Sequence, residues 1–120
     1  MEHPYLPKYA RDERPWGFFE QFTHGEPTTV KIIVVRAGEA LSLQSHEKRD
    51  EFWRVLDGEG TITVGDTYTQ ARAGDEFFIP RGTKHRAEGS TTKNLRFLEI
   101  AFGEFAEDDI VRYEDRYHRG

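Results

Sequence analysis

Turn-forming residues recur about every six to twelve positions along this chain, and the runs between them are rich in Val, Ile, Thr and Phe. That spacing leaves room for short strands but for no helix longer than about two turns, and confines the fold to an all-β sandwich or barrel. The run T-T-V-K-I-I-V-V-R, residues 28–36, is β-branched nearly throughout, and its density of Val and Ile predicts burial on both faces. E-F-W-R-V-L-D is expected to be a strand ended by a hairpin turn at Asp57-Gly58, and T-I-T-V to return through Gly65-Asp66 as T-Y-T-Q-A. E-F-F-I-P and K-H-R-A-E follow as short strands. In the last long run, L-R-F-L-E-I-A-F, alternation puts Leu95, Phe97, Glu99 and Ala101 on one face. Three prolines and many charges make residues 1–15 an extended arm, with 16–120 as a single domain. The charged tail is expected to hold one helical turn capped by Asp108 or Asp109.

A chain of 120 residues buries roughly 65% of its unfolded surface in one core. Nine Phe, two Trp and five Tyr supply much of that core. The net charge of −5 disfavours a nucleic-acid backbone as partner. With no cysteine, neither disulfides nor thiolate ligands are available, so any metal must take nitrogen and oxygen donors. No stretch is apolar enough for a signal peptide or a membrane span, so the expectation is a cytoplasmic protein without a membrane partner.

Two stretches carry the chemistry. Gly38 to Gly58 reads G-E-A-L-S-L-Q-S-H-E-K-R-D-E-F-W-R-V-L-D-G and places the amide oxygen of Gln44, the imidazole of His46 and the carboxylate of Glu51 within eight residues. Gly74 to Gly89 reads G-D-E-F-F-I-P-R-G-T-K-H-R-A-E-G and adds His85 just past a Pro-x-Gly turn. Gln44 and His46, two apart on an extended segment, point the same way. One amide oxygen, two imidazoles and one carboxylate suit a single divalent ion such as Zn, Mn, Fe, Co or Ni. The bland alternative is two ordinary histidines beside polar turns and a solvated amide. Four donors spaced over two such stretches favour the metal.

These paired stretches resemble the two motifs of the cupin superfamily, a double-stranded β-helix related to the jelly roll. Within it, R-P-W-G-F-F-E, V-K-I-I-V-V-R-A-G-E, L-S-L-Q-S-H-E-K-R-D-E-F-W, I-P-R-G-T-K-H-R and E-D-D-I-V-R-Y-E-D-R-Y are similar, in order from about Arg14 onward, to the C-terminal domain of type II mannose-6-phosphate isomerases. That domain is often fused to mannose-1-phosphate guanylyltransferase. Four positions depart from the family pattern. Glu47 and Lys48 stand where it has a histidine-rich run, Phe52 where it has histidine, and Ala101 where it has glutamine. The residues present contain no glycine-rich nucleotide loop, so guanylyl transfer is not expected of them.

The resemblance implies isomerisation of an aldose to a ketose hexose 6-phosphate. Such chemistry needs a base beside the carbon that loses its proton, and Glu99 and Lys31 are the candidates, each with a structural ion pair as the alternative. The phosphate needs cations, for which Arg86 beside His85 and Arg81 on the same turn are the candidates. Two other readings compete: a non-catalytic sugar- or metal-binding module, and another metal-dependent cupin enzyme such as a dioxygenase or epimerase. The proline-rich arm and exposed aromatics further predict a homodimer.

Overall fold

The computed structural model describes residues 6–106 and 108–115. Ten strands make up its regular structure, and no helix occurs among the described residues. They are β1 (Ala10–Arg14), β2 (Gly17–Gln21), β3 (Thr28–Val35), β4 (Leu43–Ser45), β5 (Arg49–Val64), β6 (Thr67–Arg72), β7 (Glu76–Ile79), β8 (His85–Gly89), β9 (Leu95–Gly103) and β10 (Val111–Glu114). The expected all-β sandwich is thus the architecture found. No helix in it is long and apolar enough to cross a membrane.

The long strand β5 organises the molecule. Its first half pairs with β9 and β7, its second half with β6 and β8, so one strand belongs to two sheets. Asp57-Gly58 was expected to close a hairpin; instead the chain continues through it and bends. Gly58 adopts φ +88°, and a Cβ there would sit 1.9 Å from the Asn94 carbonyl oxygen, so only glycine permits this crossing. A register shift between Val55 and Asp57 adds to the bend. The expected hairpin at Gly65-Asp66 does form, with Val64 opposite Thr67.

One sheet runs β3-β9-β5-β7 and the other β10-β4-β8-β5-β6. Between them lies a core of Val35, Trp53, Val55, Ile62, Ala71, Ile79, Ala87, Leu95 and Phe97. Alternation on β9 comes out as read from the sequence, with Leu95, Phe97, Glu99 and Ala101 all buried. On β3 it does not. Val30, Ile32 and Val34 are 57%, 56% and 50% exposed, because β3 is the edge strand and its outer face has no described layer over it. Apolar density alone cannot distinguish a strand covered on both sides from one with a bare apolar face.

The same outer face is covered further along, where Leu6, Tyr9 and Phe22 pack over Phe52, Leu98, Ile100 and Phe102. Ala10–Arg14, within the stretch expected to be an extended arm, pairs residue for residue with β2 around a Pro15–Trp16 turn. Trp16 at that turn is 74% exposed. The C-terminal stretch forms strand β10 against β4 rather than a capped helical turn among its described residues.

Candidate metal centre

Three of the four expected donors converge. The ligand atoms of His46, Glu51 and His85 lie within 4.8 Å of one another, each side chain almost wholly buried. Gln44 on β4 stands directly opposite His85 on β8 and lines the same cavity as His46, a space of about 180 Å³. Its Oε1 accepts from the Ser42 hydroxyl at 2.9 Å, which leaves a second lone pair on that oxygen. The sheet pairing, not the sequence spacing, joins the two motifs. It is reinforced by Gly82, whose N–H donates to the His46 carbonyl at 2.6 Å from within the turn Pro80–Thr83. Gly82 has φ +82°, as the third position of such a turn requires.

Both imidazoles are held by backbone carbonyls. His46 Nδ1 lies 2.6 Å from the Asp109 carbonyl oxygen and His85 Nδ1 lies 3.0 Å from that of Thr83. A carbonyl only accepts, so each neutral ring carries its proton on Nδ1 and turns the Nε2 lone pair toward Glu51. Nε2 of His46 is 3.5 Å, and that of His85 3.7 Å, from the Glu51 carboxylate. Burial lowers the His85 pKa despite the opposing pull of Glu51, which keeps the ring neutral. Desolvation works to raise the Glu51 pKa, but the pull of His85 in its protonated form, the Arg49 hydrogen bond and the pull of protonated His46 outweigh it and hold the carboxyl below its ordinary value.

These residues fit a divalent ion. His85 Nε2 is buried with no hydrogen-bond partner among the described residues, which is costly for a polar atom unless something else satisfies it. Two tautomer-fixed imidazole nitrogens, a carboxylate and an amide oxygen form the donor set of a nitrogen–oxygen metal site. Trp53 Nε1–H donates to Glu51 Oε1 at 3.0 Å and so orients that carboxylate from below.

The sequence reading missed Arg49. Its Nε donates to Glu51 Oε2 at 2.9 Å and its Nη2 to His46 Nε2 at 3.0 Å, so this guanidinium engages the same lone pair and carboxylate that a metal would take. Arg49, Glu51 and Trp53 alternate along one strand, and that pattern would have revealed it. Asp109 was also missed as a site residue. Besides its carbonyl bond to His46, its carboxylate accepts from the backbone N–H groups of Glu47 and Lys48 at 2.9 and 3.0 Å. Nothing local announces that role, because the partners lie more than sixty residues away.

Of the candidate bases, Glu99 and Lys31 face each other across β9 and β3 and both line the cavity. Burial, then the charge of Glu51 and a hydrogen bond with it, raise the Glu99 pKa from 4.5 to about 8. Lys31 and Arg49 flank the Phe105 ring, each 4.3 Å from its centroid. The two candidate phosphate cations are not brought to the cavity. Arg86 neighbours His85 on a strand and therefore points to the opposite face, where it donates to the Leu41 carbonyl and to Glu114. Arg81 is bound to Asp50 outside the cup.

Comparison with known proteins agrees with this geometry. Residues 5–115 match the family described as mannose-6-phosphate isomerase C-terminal. Mannose-1-phosphate guanylyltransferase 2 of Escherichia coli O157:H7 is 39% identical over 105 residues, which are 87% of this chain and 22% of that protein. The xanthan biosynthesis protein XanB of Xanthomonas campestris pv. campestris (strain B100) is 38% identical over 107 residues, 88% and 23% of the two chains. The chain thus spans less than a quarter of the length of these relatives. Among solved structures, a cupin protein from Bacteroides fragilis superposes with a TM-score of 0.60 at 24% identity, over 68% of this chain and 70% of the other. A double-stranded β-helix protein from Klebsiella pneumoniae does so with 0.63 at 20% identity, over 86% and 91%. With the matched family spanning nearly all of its length and the two cupin motifs closing one cup, the chain belongs to the mannose-6-phosphate isomerase C-terminal family and has the cupin fold.

Proposed function

We propose that this domain is a metal-dependent sugar-phosphate isomerase, interconverting an aldose and a ketose hexose 6-phosphate. The observation that carries this reading is the buried, unsatisfied His85 Nε2 facing Glu51 and His46 beneath a polar cavity. Gln44, His46, Glu51 and His85 would hold one divalent ion. When bound, it supplies Lewis-acid stabilisation of negative charge on the sugar oxygens. Glu99 is the group to move the proton. Isomerisation takes a proton from the carbon beside the carbonyl and returns it to the adjacent carbon, so one carboxyl near its own pKa can do both. Lys31, opposite Glu99, steadies its ionised form by charge. Phe105 and Ile33 give the cavity part of its apolar lining.

A second reading, a non-catalytic sugar-binding module, draws on Arg49, which already occupies His46 Nε2 and Glu51 and would let the cup work without a metal. One experiment separates the two. Protein purified without chelator is measured for metal content and hexose 6-phosphate turnover, beside a His46→Ala, His85→Ala double variant. Stoichiometric metal and turnover in the parent, both lost in the variant, are expected. Ligand binding in a parent that holds no metal and turns nothing over, even after metal loading, would replace the isomerase with the module.

The domain is further proposed to act as a homodimer. Val30, Ile32 and Val34, with the exposed Trp16, Phe18 and Phe19 of the β1–β2 hairpin, present roughly 500 Å² of apolar side chain, given about 150–250 Å² for a whole aromatic. Two copies related by a two-fold axis, each laying its hairpin on the other's bare β3 face, would bury roughly 1,000 Å², enough for a specific interface.

A further inference from the structure

Arg112 lines the cavity and lies outside the two donor-bearing stretches. It lies on β10 directly opposite Gln44 on β4, and Gln44 lies directly opposite His85 on β8. Residues paired in this way share a face, so Arg112, Gln44 and His85 form one row along the inside of the cup. The row spans about 10 Å, two strand spacings, between the strand of Arg112 and that of His85. That is the separation between the reacting end and the phosphate end of an extended hexose phosphate.

The Nε of Arg112 is buried and has no hydrogen-bond partner among the described residues. The other arginines near the cup are committed: Arg49 to Glu51 and His46, Arg86 to Leu41 and Glu114, Arg81 to Asp50. Glu99, the acid that lines the cavity, sits across from Lys31 on the other sheet. A guanidinium nitrogen buried without an acceptor in a protein of net charge −5 is held in place by the fold, and a ligand oxyanion would complete it.

We propose that Arg112 is the anion-docking residue of the cup, receiving the phosphate group of the sugar phosphate while the hydroxyl end reaches His46 and Glu51. The proposal rests on the reading of the cup as a sugar-phosphate site and names the residue that reads the phosphate. Arg112 falls in the family-like block E-D-D-I-V-R-Y-E-D-R-Y, to which the sequence assigns no role. Arg86 holds the conspicuous place beside a motif histidine, yet alternation turns it outward; Arg112 comes from the far end of the chain and is turned inward by pairing with β4.

The test is calorimetric titration of the metal-loaded protein with mannose 6-phosphate, mannose and inorganic phosphate. Wild type is compared with Arg112→Gln, Arg112→Lys and, as a control outside the cavity, Arg81→Gln. Arg112→Gln is expected to weaken mannose 6-phosphate and inorganic phosphate at least tenfold while leaving mannose affinity and metal content unchanged. Arg112→Lys should keep part of the phosphate affinity, and Arg81→Gln all of it. Should the glutamine variant prove unfolded by its thermal melt, the lysine variant decides by the ratio of phosphate-ester to free-sugar affinity. An unchanged ratio in a folded Arg112 variant, or an equal loss for mannose, overturns the proposal. Arg112-dependent phosphate binding without turnover would sink the isomerase and leave the subsite standing. Turnover indifferent to Arg112 would sink the subsite alone.

Discussion

The β3-β9-β5 sheet has two faces built from the same strands. Inward, the paired residues Lys31 and Glu99, with Trp53 next in the row, lead to Glu51 and the two histidines, a face of buried polar and charged groups. Outward, one residue along each strand, Val30, Ile32 and Val34 run into Leu98, Ile100 and Phe102 with no charged residue on the outward face of β3. The inner face invests in buried charge, the outer face in uncommitted apolar surface. Chemistry is therefore assigned to one side and association to the other, and a one-residue step along β3 moves from the first role to the second.

Substitutions on alternating positions should separate those roles. The largest effect is expected inside: Glu99→Gln removes the proton-moving group and should lower kcat of the proposed isomerisation by about 10²–10⁴-fold, the usual weight of general acid–base catalysis. Its metal content and oligomeric state should match the parent. A variant that kept its rate would move the base elsewhere in the cup.

A subtler consequence of the inner face appears in stability. Glu99 has a folded pKa of about 8 against an unfolded 4.5, so the folded state holds a proton that the unfolded state releases between those values. The resulting stabilisation is fully present below about pH 4.5, declines as pH rises, and is lost above about pH 8. Denaturant midpoints of metal-stripped protein between pH 5 and 9 should show this decline, and Glu99→Gln should flatten it. The same slope in both proteins would remove Glu99 as its source.

On the outer face the smallest chemical effect is expected. Ile32→Lys puts a charge into the bare stripe and, at an exposed site, should change monomer stability by no more than about 0.5 kcal/mol. Light scattering should nonetheless report a dimer for the parent and a monomer for the variant, with activity per metal nearly unchanged. A parent that is monomeric at micromolar concentration would leave this face for some other partner.

Much of this molecule was legible in its residues. The strands between Thr67 and Gly103, the Gly65-Asp66 hairpin and the inward face of β9 follow from period-two alternation and turn chemistry, which act over a few residues. The candidate donors His46, Glu51 and His85 could also be picked out, because His46 and Glu51 share one stretch and His85 lies in the other, but their meeting comes from sheet pairing. The misreadings share a cause. Asp57-Gly58 has the local chemistry of a hairpin and became a bend because β5 finds partners in both sheets, and Val30, Ile32 and Val34 look like core until β3 proves to be an edge.

Short stretches sufficed for the all-β cupin fold and for a candidate nitrogen–oxygen donor set, since strand periodicity and donor identity are local properties. Only the folded arrangement turns Arg112 toward the cavity and brings Asp109 to His46. Those roles depend on which strands lie side by side. Pairing across the sheets brings together residues more than sixty positions apart, and no local pattern encodes such a meeting.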